Sequence, residues 1–564
     1  MSSPPDTIYT NARVWTVNPE QSWAEAFAVQ GGKFVAVGST DDVVALAGED
    51  TKLVDLKDKM VLPGLYDIHI HPRNWYVAAI LAESVLGIPG DAGPEEAAKL
   101  IREYVEARPQ LEYLFAHNLP AELFDGEPTA KWLDTAVSDR PAYVVTATGH
   151  EAVLNTAAMN LAGIDDETPD PRNGVIVRDP KTGQATGYMK QAAMGYYAVK
   201  WLPTLDVDTH AEGIRQVLPM FAKDGLTSIR WLHGEPKEVE ALHKVATSDG
   251  LPLRVSVAWS YDAPTRAFQS TEDQLAGIKG FKKLFAPRLN PAFVKVNLDG
   301  IPTGTAAMVD PFLTEGNSAS YDPLKGDDEE NRGLIFYDKS GLANEIVRFE
   351  ELGLSGMVFH AVGDRAVRVV LDAMEIAEQQ LGSLKGRYQL AHAFIIADED
   401  LPRFAKLNLT VEFSPVLWFP NPFNDVFNAM VGEERTAQVF RMRSVLNAGG
   451  RFVIASDGPL YMQAPLASIE AAVTRRDPIN GGPQDAAASE AVTLPEAIAA
   501  RTINSAYLDF AEDKLGSIET GKLADFVVLD RNLFEIPIEE VSEAEVLMTF
   551  VEGKVVFDAK GTTQ

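Results

Sequence analysis

Eight short apolar runs, rich in β-branched residues, recur along the middle of the chain. They lie at 61–71, 226–232, 252–259, 293–298, 355–360, 387–392, 408–413 and 451–457. Helix-like stretches separate the later runs, at 236–249, 339–353, 363–381, 398–407 and 433–448. Strands that alternate with helices predict a parallel α/β sheet, and eight such units predict a closed (β/α)8 TIM-like barrel. A doubly wound sheet would want a glycine-rich phosphate-binding turn after an early strand, and the sequence has none.

A long segment separates the first two runs. About 150 residues lie between them, whereas a βα connection usually takes only a few. We therefore expect residues 73–209 to form an inserted subdomain. Because it leaves from the carboxyl end of the first strand, we expect it to lie over the barrel mouth. The patterns inside it predict helices at 94–108 and 151–162 and strands at 112–116 and 142–147.

Both ends of the chain are rich in short β-like runs. The amino-terminal runs include Ala26–Gln30 and Lys33–Val37, which the turn Gly31-Gly32 joins into a hairpin. The carboxyl-terminal runs include 524–530 and a second hairpin over 546–557. Since chain ends often lie close together, we predict a composite β-sandwich domain from 1–60 and 515–564, with the barrel over 61–514.

Charge and composition narrow the class of partner. The chain of 564 residues has a formal net charge of −31, which disfavours nucleic acid and anionic membranes as partners. It contains no cysteine, so disulfides and thiolate metal ligands are excluded. The start has no basic segment followed by an apolar run, and cytoplasm is the expected location. We expect a small-molecule substrate and, since a dimer is the commonest assembly, a homodimer.

Residues able to bind a metal end five of the predicted strands. His69 and His71 share one face of the first strand, because strand side chains alternate with period two. The other four candidates, one on each of four later strands, are Lys295, His360, His392 and Asp457. Active sites of such barrels lie at the carboxyl ends of the strands. The pattern therefore predicts a metal-dependent hydrolase.

The chain resembles the amidohydrolase superfamily, in particular the branch that includes N-substituted formamide deformylases. The resemblance covers nearly the whole sequence. The motifs that carry it are LPGLYDIHIHP at 62–72, GHEAVLNTAAMNLAGI at 149–164, VKVNLDG at 294–300, HAVGDRAV at 360–367, AHAFI at 391–395, ASDGP at 455–459 and LGSIETGKLADFVVLD at 515–530.

The resemblance implies a role for each candidate ligand. His69 and His71 would bind the more buried metal ion, and His360 and His392 the more exposed one. Lys295 matches a lysine that is carboxylated in related enzymes, so its carbamate would bridge two ions, with zinc the favoured metal. Asp457 would bind the buried ion and transfer protons. The alternatives are a strand lysine in a salt bridge and an Asp457 that only caps the next helix.

Five further side chains are candidates for substrate binding. They are His150 in the insertion, His233 after the second strand, and the tryptophans Trp75, Trp231 and Trp418. Tryptophans at strand ends can line an apolar pocket, although ordinary packing is the alternative. An apolar pocket favours an N-substituted formamide or N-acyl amide, including aromatic ones. His210 lies on a helical stretch and is expected at the surface.

The implied reaction is hydrolysis of a linear amide-type carbon–nitrogen bond, other than a peptide bond, by metal-activated hydroxide. The nearest alternative is a deaminase or cyclic amide hydrolase on the same barrel. A non-catalytic binding protein is a further alternative, although all six candidate ligands are present. The chain departs from the branch at Ala391, where a glutamate is usual, and at Gln191 in the insertion. Neither position is a proposed ligand.

Overall fold

The computed structural model describes residues 3–80, 85–147, 149–171, 174–195, 205–261, 269–301, 306–313, 332–414, 422–458, 464–484 and 487–560. Eight parallel strands pair in chain order at its centre. They are Leu65–Ile70, Leu226–Gly234, Arg254–Ser260, Leu289–Asn297, Gly356–Ala361, Gln389–His392, Thr410–Phe413 and Arg451–Ile454.

The eighth strand returns to the first. The Asp457 N–H donates to the carbonyl of His69 at 2.9 Å, and the His71 N–H donates to the carbonyl of Gly458 at 3.0 Å. These bonds bring the ends of the sheet together just beyond the strands. The predicted (β/α)8 barrel is confirmed.

Helices pack outside the barrel and within the added segments. Those described are Thr40–Val44, Arg73–Ile80, Pro94–Glu106, Ala130–Asp134, Thr156–Ala162, Val207–Lys223, Pro236–Ser248, Thr271–Phe281, Lys339–Glu351, Asp364–Leu381, Leu401–Lys406, Pro422–Val431, Glu433–Thr436, Met442–Asn447, Pro465–Thr474, Leu494–Ala500 and Ile503–Leu508. The single helix predicted at 433–448 is two short helices. Phe440 interrupts it with a φ of +49°, and its N–H donates to the carbonyl of Phe394.

The first predicted strand, 61–71, is also divided. Residues Lys52–Pro63 belong to the sheet of the chain ends, and the barrel strand begins at Leu65. Gly64 separates the two. A Cβ at this position would lie 2.2 Å from the Thr227 hydroxyl oxygen, so only glycine lets the first two barrel strands approach this closely.

The two chain ends form one eight-stranded sheet. Its strands are Thr7–Trp15, Trp23–Ala24, Ala26–Gln30, Lys33–Gly38, Lys52–Pro63, Phe526–Leu529, Val546–Val551 and Lys554–Asp558. The rings of Phe27 and Phe526 lie 4.9 Å apart although two strands separate theirs in the sheet. Neighbouring strands are about 4.8 Å apart, so this contact requires the sheet to curl over a shared aromatic core.

The insertion contains a six-stranded sheet. Its strands are Val85–Gly87, Leu114–Leu119, Ala142–Thr146, Glu151–Leu154, Gly174–Arg178 and Ala185–Gln191. The helix predicted at 151–162 was wrong in its first third, because Glu151–Leu154 is a strand and the helix starts after Asn155. The Asn155 side chain accepts a hydrogen bond from the Ala158 N–H and so caps the helix.

Among the described residues, every helix is too short or too polar to cross a bilayer.

Candidate metal centre

Three side chains at the carboxyl end of the barrel converge on one point. One nitrogen or oxygen atom from each of His69, His392 and Asp457 lies within 4.8 Å of the others. The His69 Nε2 is 3.0 Å from the Asp457 Oδ1, and the His392 Nδ1 is 4.0 Å from the Asp457 Oδ2. Strands one, six and eight supply these residues, so barrel closure assembles the group.

The other three predicted ligands surround this group. The His71 Nε2 lies 3.1 Å from the Asp457 Oδ1, and the Lys295 Nζ lies 3.1 Å from the His69 Nε2. The His360 ring is 4.6 Å from the His392 ring. Its Nε2 lies 3.0 Å from the carbonyl oxygen of Gly300 and donates to it, which leaves Nδ1 as the lone-pair nitrogen.

Glu412 completes the cluster and was missed in the sequence analysis. Its Oε2 lies 2.7 Å from the His69 Nδ1, and its Oε1 accepts a hydrogen bond from the Ser414 hydroxyl at 2.6 Å. A carboxylate on Nδ1 holds the proton there and turns the Nε2 lone pair toward the centre. The sequence did contain a sign of this role, since Glu412 is a charged residue inside the buried run 408–413.

Burial keeps the outer imidazoles neutral. It lowers the pKa of His71 to about 4, and it holds the pKa of both His360 and His392 well below the ordinary value. Neutral imidazoles carry the lone pair that a metal ligand needs. Burial also lowers the pKa of Lys295, to about 8, so the neutral amine is far more populated near neutral pH than in an ordinary lysine.

The central pair behaves differently. Burial and Lys295 lower the pKa of His69, but Asp457 and Glu412 outweigh them and the net shift is upward. Burial would raise the pKa of Asp457, yet the neighbouring imidazoles His69 and His71 hold it well below the ordinary value. A cation would interact favourably with the ionised Asp457 and could take the place of the His69 proton.

The backbone at the mouth is strained at several of these positions. Positive φ angles occur at His233 (+57°), His392 (+78°), Ala393 (+42°) and Asp457 (+51°). A non-glycine residue in this region costs about 1–3 kcal/mol, and such residues cluster at functional sites. These four residues lie at the ends of strands two, six and eight, where the backbone conformation sets the direction of the candidate site side chains.

The donor set fits a divalent metal ion. The His392 Nδ1 is buried and has no hydrogen-bond partner among the described residues, although it faces an ionised carboxylate. Imidazole nitrogens and carboxylate oxygens are the ligands that zinc takes in proteins without cysteine. His69, His392 and Asp457 could hold such an ion directly, with His71, His360 and Lys295 within reach.

Three of the predicted substrate contacts lie at the mouth. The His150 ring is 5.3 Å from the His360 ring, and its Nδ1 is 3.0 Å from the Gln191 Oε1. The His233 ring is 4.9 Å from the His71 ring, and its buried Nε2 has no partner within the part of the chain that the structure describes. Trp75 covers Gly458, where an added Cβ would lie 2.7 Å from the indole.

One tryptophan and one histidine differ from expectation, and one further tryptophan is not described. Trp231 does not face the mouth, because it is fully buried in the core between strand and helices, 6.1 Å from the ring of Tyr76. Its position does not fit the predicted substrate contact. His210 is buried rather than exposed, and its Nδ1 bonds to the Tyr76 hydroxyl at 2.8 Å. Trp418 lies outside the described residues.

A parallel eight-stranded barrel with imidazoles and carboxylates clustered at the carboxyl ends of its strands has the arrangement of the barrel enzymes. The family model described as "Amidohydrolase family" matches residues 52–557. The chain therefore belongs to the amidohydrolase family.

Relatives of known name cover nearly the whole chain. N-substituted formamide deformylase from Arthrobacter pascens is 29% identical over 567 residues, which cover 99% of each protein. Protein LONG AFTER FAR-RED 3 from Arabidopsis thaliana is 27% identical over 560 residues, covering 98% of this chain and 91% of that protein.

Solved structures are similar in fold. An uncharacterized metal-dependent hydrolase from Pyrococcus horikoshii matches with a TM-score of 0.67 and 20% identity over 94% of this chain and 99% of its own. An adenosine deaminase from Xanthomonas campestris matches with a TM-score of 0.53 and 13% identity, over 98% of this chain and 93% of its own.

Proposed function

We propose that the protein is a metal-dependent hydrolase that cleaves a linear amide-type carbon–nitrogen bond in an N-substituted formamide or N-acyl amide. The observation that carries this proposal is the convergence of His69, His392 and Asp457 within 4.8 Å at the barrel mouth. Lys295, 3.1 Å from His69, adds a buried amine to the same point.

The metal would be zinc, held as two ions. His69, His71 and Asp457 would hold the more buried ion, and His360 and His392 the more exposed one. The neutral amine of Lys295 would add to carbon dioxide, forming an N–C bond and releasing one proton, and the resulting carbamate would offer anionic oxygens to the metal. The lowered pKa of Lys295 supports this step, since only the unprotonated amine is nucleophilic.

A divalent ion held by these residues would make a water molecule more acidic and would polarise the substrate carbonyl. Asp457, which is ionised, accepts the proton of the attacking water and delivers it to the leaving nitrogen. An amine leaves only after it gains that proton, so one carboxylate serves both halves of the reaction. Glu412 holds the His69 ring in place through Nδ1 while this occurs.

Trp75, His150 and His233 would contact the substrate, in keeping with their positions around the cluster. Trp75 offers an apolar surface beside Gly458, which suits an aromatic or bulky substituent. The formamide deformylase relative supports the same substrate class. With a net charge of −31 the protein would bind a small molecule rather than nucleic acid or a membrane, acting in the cytoplasm as a homodimer.

The first test is a panel of substrates with the zinc-loaded protein. Formamides, N-acyl amides, lactams and aminopurines are offered in parallel, and ions per chain are counted by elemental analysis. We expect two ions and release of an amine from linear amides, lost on chelation and restored by zinc. One ion per chain with release of ammonia from aminopurines would favour deamination instead. If the protein binds no zinc, the result would favour the alternative of a non-catalytic binding protein.

The second test addresses Lys295. Lys295→Ala should abolish hydrolysis and lower the ion count, because the carbamate is lost, and short carboxylic acids should restore part of the activity. Full activity in Lys295→Ala would remove this residue from the site.

A further inference from the structure

Asn297 lies beside the metal centre but has no role in the mechanism above. It is the last residue of the fourth barrel strand and stands two residues after Lys295, so both side chains lie on one face of that strand. In the parallel pairing with the fifth strand, Asn297 is the register partner of His360. Its carboxamide is therefore placed one step above Lys295, toward the mouth.

The carboxamide oxygen of Asn297 is buried and has no hydrogen-bond partner among the described residues. Two neighbouring hydrogen-bond donors already bond to other acceptors. The His360 Nε2 donates to the carbonyl of Gly300, and the Leu298 N–H donates to the carbonyl of His360 at 2.9 Å. A buried acceptor without a donor costs free energy, so this atom favours a ligand that brings an N–H or O–H group.

A secondary amide has one such group. The carbonyl oxygen of a secondary amide would be polarised by the proposed metal ions. Its N–H is a hydrogen-bond donor on the nitrogen of the carbon–nitrogen bond that breaks. A tertiary amide has no N–H. An acceptor at the mouth, two residues from Lys295 and paired in register with His360, therefore distinguishes these two substrate classes by a single hydrogen bond.

We propose that Asn297 is a specificity residue whose Oδ1 accepts the N–H of a secondary amide, so that the enzyme prefers N-monosubstituted over N,N-disubstituted amides. The proposal rests on the proposed amide hydrolysis and names the substrate class within it. Asn297 binds and orients the substrate.

The same strand offers a matched control. Asn290, at its other end, also has a buried Oδ1 without a partner among the described residues. Asn290 lies seven positions before Asn297, which is roughly 23 Å along a strand. Asn290 thus shares the chemistry of Asn297 but is remote from the metal centre.

The experiment compares formanilide with N-methylformanilide as substrates of the zinc-loaded wild type, Asn297→Leu, Asn297→Ala and Asn290→Leu. We expect both Asn297 variants to lose kcat/KM for formanilide roughly tenfold more than for N-methylformanilide, the loss of about one hydrogen bond. Asn290→Leu should leave the ratio of the two substrates as in the wild type. Ion content and unfolding temperature are measured for each variant, and Asn297→Ala decides if the leucine variant does not fold.

Three results would count against the proposal in different ways. If the wild type hydrolyses these amides and the Asn297 variants lose activity equally on both, Asn297 does not recognise the N–H. If the wild type hydrolyses neither amide although it holds zinc, the proposed function itself is wrong. A ratio that shifts equally in Asn290→Leu would assign the effect to the strand rather than to the mouth.

Discussion

The lower interior of the barrel and its mouth differ in how completely their buried charged and polar groups are hydrogen-bonded. In the lower half, the guanidinium of Arg230 bonds to the Asp509 carboxylate at 2.5 Å, the Gln389 Oε1 at 2.7 Å and the carbonyl of Leu508 at 3.0 Å. It also lies 3.9 Å from the centre of the Phe293 ring. One cation has one carboxylate and a full set of further partners.

At the mouth one carboxylate is shared. Asp457 lies within 3.1 Å of both His69 and His71, while the Lys295 amine approaches His69 and the His392 Nδ1 has no partner in the described part of the chain. Strained φ angles occur beside these residues. Complete hydrogen bonding of the buried charge in the lower half stabilises the barrel. Incomplete hydrogen bonding at the mouth leaves nitrogen and oxygen lone pairs available for an ion and a substrate. The comparison predicts that mutations at the two levels change different properties.

The largest expected effect is on catalysis. Asp457→Asn keeps the shape of the side chain but removes the proposed base, so kcat for the proposed amide hydrolysis should fall by about 10³-fold or more. The unfolding temperature should stay close to that of the wild type, because asparagine fills the same space and its amide oxygen can still accept hydrogen bonds from the imidazoles. Steady-state kinetics and a thermal melt check both parts. A variant that stays active, or one that is strongly destabilised, would contradict a catalytic rather than stabilising role for the mouth.

The next effect is on stability. Arg230→Met leaves the Asp509 carboxylate without its buried partner and should lower the free energy of unfolding by about 3–5 kcal/mol. Arg13→Met is the matched control, because Arg13 and Asp58 form an exposed pair at 3.7 Å, and its cost should stay below about 1 kcal/mol. Urea titrations of both variants measure the difference. Equal midpoints would contradict the role assigned to the lower level.

An intermediate effect is expected on metal affinity. Glu412→Gln removes the charge that supports the His69 Nδ1–H, so zinc should bind about tenfold more weakly in competition with a chelator. Glu345→Gln is the control, since Glu345 is also buried but pairs with Arg348 in a helix. Unchanged zinc affinity in Glu412→Gln, or the same loss in Glu345→Gln, would contradict a role of Glu412 in metal binding.

The smallest effect concerns a pair in the outer helical layer. Hydrogen bonds from Arg443 lower the pKa of Glu496 to about 2 from the ordinary 4.5, so its stabilisation is complete above about pH 4.5 and is lost as the pH falls toward 2. Solvent screens this pair, so Glu496→Gln should cost no more than about 1 kcal/mol at pH 7. Thermal melts at pH 7 and pH 4 should give a smaller difference at the lower pH. A difference that grows on acidification would contradict the assignment.

Much of the fold follows from local patterns. Eight runs of buried, β-branched residues predict the eight strands, because a strand enclosed between the barrel interior and the helices must be apolar on both faces. The split at Gly64 was not predicted, because apolar residues lie on both sides of Gly64 in the run 61–71. The division depends on how closely Thr227 approaches from the next strand. The strand at Glu151–Leu154 likewise depends on its partners in the inserted sheet.

The candidate site was predicted in part. His69, His71, Lys295, His360, His392 and Asp457 stand out because each follows or interrupts an apolar strand. Glu412 does so too, but its contact with His69 comes from strands one and seven, 343 residues apart. Trp231 was misplaced because its facing depends on the strand register, which a change of one residue reverses.

The sequence by itself determined which chemistry is available: imidazoles, a lysine and carboxylates at strand ends, with no thiol to compete. Only the tertiary structure decided which of them share a point, because that depends on closure of the barrel between strands one and eight. A residue's type and its place in a strand are local properties, whereas a distance of 3 Å between residues hundreds of positions apart exists only once every strand has paired.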